Sequence, residues 1–108
     1  MLIESLFYLI LKAAVTGAVA GSIIAIICLN WERIVDFMTS NTALKDSDID
    51  NIGFSLQEKM GSGNYKTVYG IFNTRNQKVC AAEAVSSQQI DGQVASAHHG
   101  NPLVVFQN

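Results

Sequence analysis

The sequence predicts a single N-terminal transmembrane α-helix carrying a small α+β domain of β-β-β-α-β order, a meander followed by a helical crossover. Three observations predict it. An uncharged apolar run fills 13–29, the hydrophobic period changes to two from Ile52, and a helical period returns after Ser87 before a last apolar run. The divisions that follow are 1–31 for the membrane helix with its apolar lead, 32–51 for a juxtamembrane helix and acidic linker, and 52–108 for the α+β domain.

Composition limits the alternatives. A chain that is 49% apolar and 15% charged is not disordered. Seven Lys and Arg against nine Asp and Glu leave a net charge of −2, which offers nucleic acid no electrostatic stripe. Cys28 and Cys80 are too few for a disulfide framework.

Between 13 and 29 the only polar side chains are Thr16 and Ser22. At about 1.5 Å per residue that run reaches roughly 25 Å, close to the roughly 30 Å of a hydrocarbon core. Lys12 alone interrupts a longer apolar span that starts at Leu6, so two registers are open. In the favoured one Lys12 lies at one membrane interface and Trp31 and Arg33 at the other; in the second, Lys12 is buried about two turns deep and snorkels. A buried helix of a soluble domain would need more chain around it than remains. A cleaved secretory signal lacks its basic start, because 1–11 holds Glu4 and no cation, although Ala18-Val19-Ala20 matches a small-residue cleavage pattern.

Small residues recur at every fourth position: Ala13, Gly17, Gly21 and Ala25. On one helix face they form a groove for close packing against another membrane helix, either a copy or a different protein. The expected location is a cell membrane, a bacterial inner membrane, in single-pass form. The flanking cations are nearly balanced, and the unpaired Cys80 points to the cytoplasmic side.

Trp31, Ile34, Val35 and Met38 then mark one helical face, and 39–42 ends it. The stretch 43–51, with Asp46, Asp48 and Asp50 against Lys45, reads as a solvated linker. Ile52, Phe54 and Leu56 alternate with Gly53, Ser55 and Gln57 as the first strand of a meander. Residues 65–73 and 78–85 supply the next two strands. Ser86 or Ser87 caps a helix with Ile90, Val94 and Ala97 as its stripe, and Gly100 and Pro102 stop it. Leu103-Val104-Val105-Phe106 is expected to return parallel to the third strand, inside the sheet.

One segment invites a chemical reading. Gly61-Ser62-Gly63-Asn64-Tyr65-Lys66-Thr67-Val68-Tyr69 resembles the glycine-rich loop of protein kinases. The third glycine is Lys66 here, however, and the phosphate-pairing lysine would fall at Glu83. A hairpin turn accounts for the same residues without a nucleotide. His98 and His99 point about 100° apart on a helix and suit its C-terminal dipole better than a metal. Asp91 and Glu83 have no evident acid–base partner, so no enzyme, cofactor or metal site is expected. The expected function is that of an accessory or assembly protein that packs by its helix and binds a protein partner through the α+β domain. The alternative is a tethered sensor that binds a small anion or nucleotide at the 61–64 turn.

Overall fold

In the computed structural model, which describes residues 3–16 and 23–106, the apolar N-terminal third is divided between a helix and a strand. Helix α1 covers Ile3–Thr16 and strand β1 covers Ile23–Leu29. Among the described residues no helix is long and apolar enough to cross a membrane. The 14 residues of α1 rise about 21 Å. The expected single-pass transmembrane helix is therefore corrected. Ala13 lies in α1 and Ala25 on β1, while Gly17 and Gly21 lie outside the described residues.

The physical reason is that the rest of the chain does offer this segment a surface. β1 is mostly isoleucine, whose β-branched side chain suits a pleated strand, and it finds a free edge to pair with. α1 lays Leu6, Phe7, Leu9, Ile10 and Leu11 on a sheet that presents Phe54, Leu56, Val68 and Phe72. Each such side chain removed from water contributes about 1.5–3 kcal/mol.

After β1 come α2 (Trp31–Ser40), the short α3 (Thr42–Asp46), β2 (Asn51–Lys59), β3 (Tyr65–Asn73), β4 (Lys78–Ile90), α4 (Gly92–His98) and β5 (Leu103–Phe106). The five strands form one sheet in the order β1-β4-β3-β2-β5. The antiparallel meander β2-β3-β4 is its centre, as the alternation predicts. The expected crossover is not made by the last strand. β5 pairs antiparallel with β2 at one edge, while the parallel partner of β4 is β1, Ile23 facing Ala84 and Leu29 facing Ile90. The cause is length. β4 runs on to Ile90 where a helix was expected, so α4 has only seven residues, about 10 Å, and cannot carry the chain back along a strand.

The sheet is covered on both faces. Even-numbered residues of β2 and β3 meet α1, whereas Tyr69 and Val85 meet α2 and α4 through Ile34 and Val94. The helix expected at 31–38 is present as α2, rotated from the predicted face: Ile34 is buried with Phe37 and Met38 against it, and Val35 is exposed. At Gly70 the middle strands approach so closely that a Cβ would lie 2.2 Å from the Ala81 carbonyl oxygen. Only glycine fits there.

Candidate functional site

Among the described residues β1 is an edge strand, hydrogen-bonded to β4 on one side only. Its residues alternate between the two faces of the sheet. Ile24 lies beside Val85 and Ile26 beside Ser87, on the face of α2 and α4, which leaves Ile23, Ala25 and Ile27 on the other. That second row is poorly covered: Ile27 is 70% exposed and Ile23 52%. The strand carries no charge and no proline, the features that ordinarily keep an open edge from pairing. The opposite edge, β5, is blunted by having four residues.

The C-terminal end of β1 is held by one side chain. Asp91 Oδ1 accepts from the Val94 amide at 2.8 Å and caps α4. Its Oδ2 accepts from the Trp31 amide at 2.8 Å, in the first turn of α2. The Asp91 amide in turn donates to the Leu29 carbonyl at 3.0 Å. One carboxylate thus joins β1, α2 and α4, with the positive ends of two helix dipoles on it. The cap expected at Ser86 or Ser87 is corrected: both lie within β4, and Asp91 caps the shorter helix that follows.

The residues expected at membrane interfaces are engaged within the fold. Lys12 is exposed on α1 and has an interaction partner. The Trp31 ring lies 5.6 Å from that of Phe106. Arg33 Nε donates to Glu83 Oε1 at 2.8 Å and to Tyr69 Oη at 3.1 Å. The Tyr69 hydroxyl, on a fully buried side chain, donates to the same carboxylate. Burial and the Glu83 bond hold the tyrosine hydroxyl well above its usual range, and the Glu83 and Tyr69 bonds raise the arginine. The cluster fastens α2 to the sheet.

Ser55 and His98 form a pair the sequence does not announce. Asn101 O, which only accepts, lies 2.9 Å from His98 Nδ1, so that nitrogen carries the proton. His98 Nε2 is then the acceptor for the Ser55 hydroxyl at 2.9 Å. This is the order of a base-activated hydroxyl. Ser55 is 0% and His98 4% exposed, so the pair is shut off from solvent. Burial lowers the histidine pKa and keeps the ring neutral.

The 60–64 turn is closed by backbone bonds between Met60 and the residues that follow it. The Met60 amide donates to Asn64 O at 2.7 Å and the Gly63 amide to Met60 O at 2.9 Å. Gly63 supplies the positive φ of 92° that the hairpin requires. Cys28 and Cys80 are free thiols, and among the described residues no group of three or more His, Cys, Asp or Glu is placed to hold a metal. No family model, no curated protein and no solved structure matches the chain.

Proposed function

We propose that this chain is a non-catalytic assembly protein that binds an extended protein strand along the open edge of β1, and that the strand is β1 of a second copy. The observation that carries this reading is the uncharged, exposed edge at 23–29. Two identical strands paired antiparallel about Ile26 set Ala25 of one copy beside Ile27 of the other, twice over. No like charges meet, and the two exposed rows become one apolar surface. The sheet then continues through both copies, and the backbone groups of both edges are satisfied.

Sedimentation velocity on the full chain tests this. The expected result is twice the chain mass at about 100 μM, a concentration that detects dissociation constants into the micromolar range. Ile27→Lys should yield a folded monomer by placing two ammonium groups across the seam, and Ile49→Lys, at a 97% exposed position away from β1, should not. A monomeric parent, or a dimer indifferent to Ile27→Lys, overturns the proposal.

A further inference from the structure

On the α1 face of the sheet, beyond β4 from the open edge, α1 does not close completely over β2 and β3. A cavity of about 310 Å³ remains, walled by Phe7 and Leu11 of α1, Leu56 of β2, Val68 of β3 and Pro102. Leu56 and Val68 are buried in the α1 layer, and Phe7 and Leu11 are partly buried against it. Two charged side chains also line it, Glu58 and Lys66. They are direct cross-strand partners in the β2–β3 ladder and share the face of Leu56 and Val68. Neither makes an ion pair with a described residue, whereas Arg33 and Arg75 do.

We infer that this cavity is a binding site for a free α-amino acid with an aromatic or large aliphatic side chain. The volume is at the bottom of the range for small-ligand pockets, roughly 300–1,000 Å³, which suits a single amino acid and is too small for a nucleotide or a long acyl chain. The polarity divides in the same way as the ligand. An apolar body fills the space between α1 and the sheet, its carboxylate meets the Lys66 ammonium, and its ammonium meets the Glu58 carboxylate. A fatty acid would leave Glu58 beside a like charge, and an amine would do the same to Lys66. A zwitterion satisfies both. The two charges stand at fixed neighbouring positions of a ladder, so the head-group geometry is set by the backbone. The site is independent of the β1 edge and of pairing there.

Phenylalanine, 3-phenylpropionate and phenethylamine share the apolar body and differ in which charge is present. Titrating each into the full chain, with the methyl resonances of Leu11, Leu56 and Val68 as reporters, places and ranks binding. Phenylalanine should shift these methyls with a dissociation constant below about 1 mM, at least about tenfold tighter than either analogue. Lys66→Gln should weaken phenylalanine about tenfold and tighten phenethylamine, whose like-charge neighbour it removes; Glu58→Gln should weaken phenylalanine and tighten 3-phenylpropionate for the same reason. Both substitutions are at the cavity mouth and spare the core. The inference is overturned by undisturbed methyls at about 10 mM phenylalanine. It is overturned equally by analogues that bind as tightly as phenylalanine, or by indifference to either substitution.

Discussion

His98 shows how a residue's chemistry is decided by where the fold puts it. In the sequence it is one of two adjacent histidines at a helix end, suited to a dipole. In the fold it is 4% exposed and bonded at both nitrogens, to Ser55 Oγ and to the Asn101 carbonyl. Protonation would turn Nε2 into a donor and leave a charge inside the α4 layer. Because burial lowers its pKa in the folded state, the unfolded chain binds the proton more readily. The stabilisation is complete above the unfolded value of about 6.5 and is lost as pH falls through the lower folded value. Thermal melts between pH 8 and pH 5 should therefore show a melting temperature that drops on acidification, with a shallower drop in His98→Gln. Equal slopes would remove His98 from the account of acid sensitivity. Neither this pair nor the Glu58–Lys66 pair is legible in the sequence, since residues 43 and 8 positions apart meet only once register and layer are fixed.

Among the elements, a clear period identifies β2 and α2 but misleads at Ile90, Val94 and Ala97, where β4 runs on to Ile90 and the helix is only Gly92–His98. Alternation at 52–57 marks β2, and the 3.6-residue stripe from Trp31 marks α2. β1 has no period, because an unbroken apolar run fits a membrane helix, a buried helix and a strand equally. What separates them is the unpaired side of β4, a feature of the assembled sheet. The joint between these elements is testable at Asp91. Its two oxygens cap two helices, and each cap is worth about 0.5–2 kcal/mol, so Asp91→Ala should cost about 1–4 kcal/mol in urea unfolding. A loss no larger than that of one ordinary cap, with Asp91→Asn equal to the parent, would show that the bond to Trp31 contributes nothing.

The whole molecule is a sheet with helices on both faces, and the sequence hides this because most of both covers, α1 and α2, precedes the meander and only α4 follows it. A meander at 52–90 looks self-sufficient when read alone. In the fold, Phe54, Leu56, Val68 and Phe72 depend on α1, and Tyr69 and Val85 on α2. Residues 43–108 expressed alone should lose one cover entirely and most of the other. That fragment is expected to melt without a cooperative transition and to bind a hydrophobic dye, whereas the full chain melts in one step. A sharp transition in the fragment would show that the N-terminal layers decorate a core that stands without them.

The pairing of β1 with β4 also sets a schedule. Ile23 meets Ala84, so the oiliest segment leaves the ribosome well before the strand that shelters it has been made. At synthesis rates of about 5–20 residues per second, that interval is roughly 3–12 seconds. Throughout it the nascent chain carries seven bare apolar residues of high strand propensity, open to any chaperone or neighbouring nascent chain. The hazard of this fold therefore falls in its birth more than in its finished form.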